Sequence, residues 1–156
     1  MHFEDMTKYS YCFPPGLGIK EALNIGWLDG VHQFPRGHVP DDVLNKLQEI
    51  ILGSNGNFNV HVNVIRGIHP CNICDEKVFI LSMPTPYYLG SSEIWIPSCV
   101  LDQYFAAPSM VLHYMRDHGY LPPKEFIDSV IKFDAANEFN AQNVYEQLVK
   151  RSGYNG

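Results

Sequence analysis

The chain predicts an α+β fold: a small antiparallel β-sheet packed against C-terminal helices. Three observations lead there. Phe58 to Ile65 alternates strictly between apolar and polar residues, the period of a strand with one solvated face. The last third of the chain carries apolar residues at helical spacing between proline and glycine stops. Between these regions lies Cys71-Asn72-Ile73-Cys74, followed far downstream by His113-Tyr114-Met115-Arg116-Asp117-His118. Two thiolates and two imidazoles make a tetrahedral Cys2His2 ligand set for zinc. A zinc knuckle is therefore expected to join a turn of the sheet to a helix.

The elements follow in order. Pro14-Pro15-Gly16 ends an N-terminal segment. Leu23 to Leu28 reads as a strand with Trp27 in the core, and Asp29-Gly30 as a hairpin turn into Val31 to Phe34. A helix is expected from Pro40 to Leu52. Pro40 suits its first position, Asp41 and Asp42 suit the positive end of its dipole, and Gly53 suits its stop. Val43, Leu44, Leu47, Ile50 and Ile51 form its apolar stripe. The strand Phe58 to Ile65 puts Phe58, Val60, Val62 and Val64 inward, and His61 on the wet face. The cysteine knuckle spans Gly67 to Asp75, Lys77 to Ser82 is the return strand, and Ser92 to Ile96 is another strand ended by Pro97. Pro108 opens a helix that stops at Gly119, and Leu121-Pro122-Pro123 breaks the chain. Lys124 to Lys132 is helical with Phe126, Ile127, Val130 and Ile131 inward. A last helix, Ala141 to Arg151, follows an Asn140 cap and docks through Val144, Tyr145, Leu148 and Val149.

Composition excludes several classes of function. A 156-residue chain is long enough for one domain with a core, and 46% hydrophobic against 18% charged residues marks it as globular rather than disordered. No apolar run nears the roughly 20 residues that cross a bilayer. The start, Met1-His2-Phe3-Glu4-Asp5, lacks the basic and apolar regions of a signal peptide, so a cytoplasmic location is expected. The formal charge is −6 and the longest basic run is Lys150-Arg151, which leaves no basic patch for nucleic acid. A basic protein partner suits this charge. Cys12 and Cys99 have no partner at ligand spacing and read as buried or partly buried thiols. Most of Tyr87, Tyr88, Tyr104, Phe105, Tyr114 and Tyr120 are expected in the core.

The chemistry rests on the Cys and His residues. Five helical residues turn through about 500°, so the rings of His113 and His118 face one site only if the helix ends or loosens between them. Gly119 makes such an ending natural. His69, two residues before Cys71, is an alternative ligand or a hydrogen-bond support for a cysteine sulfur. Pro70-Cys71-x-x-Cys74 is also half of the zinc deaminase signature. None of His32, His38 and His61 is followed two residues later by the glutamate that chemistry needs. A thioredoxin-like site would need its cysteine pair at a helix start. No phosphate loop, serine elbow or His-Glu-x-x-His occurs. Glu93, Asp117 and Glu125 read as solvated surface carboxylates by default.

Taken together, several stretches resemble a family: Leu23-Asn24-Ile25-Gly26-Trp27-Leu28, Gly67-Ile68-His69-Pro70-Cys71-x-x-Cys74, Gly90-Ser91-Ser92-Glu93-Ile94-x-Ile96-Pro97, and Ala107-Pro108-x-x-Val111-x-His113-Tyr114-x-x-x-His118-x-Tyr120-x-Pro122-Pro123-x-x-Phe126-Ile127. The chain is similar to a widespread bacterial family of small uncharacterised proteins, a domain of unknown function. The resemblance implies one zinc-binding domain over residues 1–132, a helical extension over 133–156, and a shared metal site at Cys71, Cys74, His113 and His118. It implies no activity.

The expected function is that of a cytoplasmic domain with one structural Zn2+ that acts by binding another protein, in the manner of an immunity or antitoxin protein. The rival is a zinc-dependent hydrolase with an open metal position and Glu93 or Asp117 as base.

Overall fold

A computed structural model describes residues 1–53 and 57–155. Gly156, the last residue of the expected extension, lies outside the described residues. In chain order the elements are β1 (Lys8–Tyr9), β2 (Ile19–Asn24), α1 (Asp41–Leu52), β3 (Phe58–Asn59), β4 (His61–Val62), β5 (Phe79–Ile80), β6 (Tyr87–Tyr88), β7 (Glu93–Pro97), β8 (Tyr104–Pro108), α2 (Val111–Asp117), α3 (Lys124–Lys132), β9 (Phe139–Asn140) and α4 (Ala141–Arg151). The α+β class holds. The main sheet has the order β1-β2-β8-β7-β4. Its pairs are antiparallel except β2 with β8, which run parallel from Ala22↔Tyr104 to Asn24↔Ala106. No helix among the described residues is long and apolar enough to cross a membrane.

Both faces of the sheet centre are covered, which departs from the expected solvated face. Ile94 and Ile96 of β7, with Phe105 and Ala107 of β8, join a core built with α1, α2 and α3. The intervening Trp95 and Ala106 join a second core with Tyr9, Trp27, Ala141 and Leu148. Adjacent strand residues point to opposite faces, so β7 and β8 each feed two cores. The second is closed by α4, whose Asn140 Oδ1 accepts the Asn143 N–H at 3.1 Å as the expected cap.

α1 follows its sequence closely. Its buried residues are Val43, Leu44, Leu47, Ile50 and Ile51, and Gly53 closes it in the left-handed region at φ 63°. The N-terminal strand lies earlier than Leu23 to Leu28 suggests. Gly26 takes φ 68° and ends extended structure after Asn24. Asp29-Gly30 is not a strand hairpin. The Asp29 carboxylate accepts the Val31 and His32 N–H groups instead, and Val31 is exposed.

The run Phe58 to Ile65 is two strands in different sheets. β3 pairs parallel with β9, β4 pairs with β7, and Asn63 at φ 53° turns the chain so that Val64 is exposed. The Asn59 side chain accepts the His61 N–H and donates to the His61 carbonyl, replacing ladder bonds at the break. The return strand shortens to β5, which pairs with β6 and not with the 58–65 run. Pro108 ends β8 rather than opening a helix, and α2 starts at Val111. Ile131 points outward, half exposed, while Phe126 and Val130 are buried. Cys12 and Cys99 are exposed. Phe105, Tyr114 and Tyr120 are core, Tyr87 and Tyr104 are half-buried, and Tyr88 is exposed.

Gly26 is where β2's exit meets α2. Its N–H donates to Asp5 Oδ1 at 2.9 Å, and the same carboxylate accepts the Tyr120 hydroxyl at 2.7 Å. A Cβ on Gly26 would stand 2.6 Å from Val111 Cγ2 and 3.3 Å from the Tyr120 ring. Gly26→Ala adds that clash to an unfavourable φ, so it should lower stability by roughly 2–3 kcal/mol in denaturant unfolding.

Candidate metal centre

The knuckle is a closed loop. The Cys71 N–H donates to the Glu76 carbonyl at 2.8 Å and the Asp75 N–H to the Cys71 carbonyl at 2.9 Å, with Asp75 at φ 61°. The Ile73 N–H points at Cys71 Sγ, 3.3 Å away. Asn72 Nδ2 donates to the Leu28 carbonyl at 3.2 Å and fastens the loop to the segment after β2. Cys71 is fully buried and Cys74 is at the surface.

α2 supplies the other two donors. Val111, Leu112, Tyr114 and Met115 are buried and fix the helix in the core. His113 is 7% exposed. The helix ends at Asp117, His118 is its C-cap at φ −113°, and Gly119 follows at φ 65°. This is the ending that the five-residue histidine spacing requires. The Tyr114 carbonyl accepts the N–H groups of both His118 and Tyr120. Outside, Arg36 Nη1 donates to the His118 carbonyl at 3.1 Å, Gly37 N–H to the Gly119 carbonyl at 2.9 Å, and Leu121 N–H to the Pro35 carbonyl at 2.9 Å.

The four donors converge. One donor atom from each of Cys71, Cys74, His113 and His118 lies within 4.8 Å of the others. His113 Nε2 and His118 Nε2 are 3.1 Å apart. Cys71 Sγ stands 3.5 Å from His118 Nε2, and Cys74 Sγ 3.5 Å from His113 Nε2. A tetrahedral ion with Zn–N near 2.05 Å and Zn–S near 2.3 Å would put nitrogens about 3.3 Å apart and sulfur–nitrogen pairs about 3.6 Å apart. The donor set fits a metal of that size.

Its surroundings fit as well. Asp117 Oδ2 lies 2.8 Å from His113 Nδ1, so Nδ1–H donates to the carboxylate and the Nε2 lone pair is left facing the other donors. Burial, then the neighbouring His113, hold the His118 imidazole below its ordinary pKa, in the neutral form that binds metal. Burial pushes the Cys71 thiol up. A bound cation works against that shift by stabilising the thiolate.

The remaining candidates are elsewhere. His69 is exposed and outside the donor group, and its contribution is a backbone N–H to the Gly90 carbonyl at 3.1 Å. Glu93 is not a surface carboxylate: it is 4% exposed and accepts from Asn63 Nδ2 at 2.7 Å. Asp117 is spent on orienting His113. His2, Asp29 and His32 also bring donor atoms within 4.8 Å. The two rings, however, stack 4.1 Å apart and nearly parallel, and in-plane lone pairs in parallel planes do not meet at one ion.

His61 corrects the sequence reading most sharply. It is half-buried, Nε2–H donates to the Ile51 carbonyl at 2.7 Å, and Nδ1 accepts the Ser92 hydroxyl at 2.8 Å. Burial holds its pKa below the ordinary value. It therefore closes the C-terminal turn of α1 and ties it to Ser92, the residue that leads into β7. No spacing announces this, because the β4–β7 register (His61↔Ile94) brings the partners together.

Asp117→Asn keeps the size but weakens the bond to Nδ1. Metal affinity, read by competition with a chromophoric chelator, should fall about 10–100-fold. Unfolding of the metal-free protein should change little, because this side chain is 55% exposed.

A family model described as a domain of unknown function (DUF7919) matches residues 1–131. No curated protein and no solved structure matches the chain. With the model spanning the sheet, the knuckle and α2, the chain belongs to the DUF7919 family.

Proposed function

We propose that this protein is a zinc-stabilised domain that works by binding another protein. The observation that carries the metal half is the convergence of two sulfurs and two imidazole nitrogens at the spacings of a tetrahedron's edges. A mixed thiolate and imidazole set is matched to zinc among the common divalent ions. Four protein donors complete the tetrahedron, so the zinc is structural. A hydrolase would need one of those positions for water. Asp117 is held by His113, and Glu93 lies outside the donor group.

The binding half rests on the β5–β6 hairpin. It leaves the knuckle directly, and its Phe79, Leu81, Met83 and Tyr88 are exposed, Leu81 at 83% and Met83 at 92%. Apolar side chains clustered on one exposed hairpin favour a protein contact. The zinc would hold the base of the hairpin on α2, since Val78 and Phe79 share a surface depression with Cys74, His113 and His118. The charge of −6 favours a basic partner, as for an immunity or antitoxin-like protein.

Elemental analysis of protein purified without a metal-affinity tag should give one zinc per chain. Cys71→Ser and His118→Ala should each lose it and lower Tm by about 10 °C or more, because ligation energy is folding energy. Unchanged metal content and Tm in both would remove the zinc reading. A pull-down from the native host should recover a specific protein, and Leu81→Ser with Met83→Ser should lose it while keeping the wild-type Tm. Equal recovery by that variant, or nothing above background, would remove the role given to the hairpin.

A further inference from the structure

Beside the knuckle, and separate from the four metal donors, is a cleft of about 330 Å³. Its lining includes Tyr11, Trp27, Asn63, Asn72, Glu93 and Tyr114. Glu93 is its one carboxylate and is 96% buried by the fold. Asn63 Nδ2 donates to Oε2 at 2.7 Å and Trp95 Nε1 to Oε1 at 3.3 Å. Together with the nearby Tyr9 hydroxyl, these neutral donors orient the carboxylate and leave it lone pairs with which to accept again.

Met1 and His69 also line the cleft, but among the described residues no basic group pairs with this carboxylate, and burial pushes its pKa up. The ion pairs among the described residues are His32–Asp29 and His113–Asp117, and neither Lys nor Arg lines the cleft. A buried carboxylate without a counter-charge is costly, and folds that keep one commonly use it. The walls suit a cation too. Tyr11 and Trp27 lie against each other with ring centroids 5.1 Å apart, and Tyr114 adds a third ring. Aromatic faces attract cations, and the overall charge of −6 repels anions.

We propose that this cleft binds a cationic nitrogen group, a guanidinium or alkylammonium, with Glu93 as its counter-ion and Tyr11, Trp27 and Tyr114 as its walls. The group can be carried by a free small molecule or by an arginine or lysine side chain of a polypeptide. Asn72 and Tyr114 join the cleft to the metal centre, but absence of cation binding here would leave the zinc and hairpin readings intact.

The test uses the full chain with n-butylguanidine and its neutral counterpart n-butylurea. Binding is followed by calorimetry and by the NMR signals of the Trp95 indole N–H and the Asn63 side-chain amide. Butylguanidine should bind saturably and shift both signals, with butylurea at least about tenfold weaker. Glu93→Gln keeps the shape and removes the charge, and should cost butylguanidine about tenfold while leaving butylurea unchanged. The wild-type comparison stands even if that variant folds poorly. Equal binding of the two ligands, equal binding by a folded Glu93→Gln, or no saturable binding at millimolar concentration would each overturn the proposal. Given binding, an acetyl-Gly-Arg-Gly-amide peptide that outbinds butylguanidine identifies a polypeptide source. A peptide that binds more weakly identifies a free ligand.

Discussion

The end of α2 is the constraint on which the rest of the structure depends. A helix continued through His118 would carry its ring away from His113, and the two imidazoles could not share an ion. The left-handed residue Gly119 stops the helix there, and the Arg36–Gly37 segment holds the exit by bonds to the carbonyls of His118 and Gly119. One residue later Tyr120 is fully buried and bonded to Asp5, which also holds Gly26. The same turn therefore completes the donor set, anchors the N-terminal segment and sets how the segment after β2 meets α2 at Gly26 and Val111.

The second constraint is the double burial of β7 and β8. Two cores share these strands, so the sheet needs a cover on each face. α1, α2 and α3 provide one. α4 contributes to the other, although it lies beyond the residues matched by the family model. Ala141 and Leu148 are buried there with Trp95 and Ala106. A sheet closed on both sides also explains how Glu93, in an alternating strand, comes to be a buried carboxylate: its neighbour Ile94 faces one core, and Glu93 lies on the opposite face beside Trp95's indole N–H.

Helices and caps were legible because their causes are local. The stripe of α1, the Asn140 cap of α4 and the stop at Gly119 each depend on residues within one or two turns. The four donors were legible because metal ligands come in short spaced pairs whose chemistry is carried by residue type. The strands were not. Phe58 to Ile65 alternates as one strand should, yet Asn59 and Asn63 break it by side-chain bonding and a left-handed turn, and its halves pair with partners some 30 and 80 residues away. β8, with its small Ala-Ala-Pro sequence, has no strand signature, and burial between two cores makes it one.

By itself, then, the sequence determined the mixed fold class, the helices with their ends apart from the start of α2, and the residue types of the donor set. Only the tertiary structure decided that these donors meet at tetrahedral spacing, that His69 stays outside them, that Glu93 is buried, and that His61 is half-buried and bonded rather than solvated. The physical reason is range: helix signals and ligand pairs are written within a few residues, whereas strand register, the cover on a sheet face and the environment of a charge are set by segments far apart in the chain.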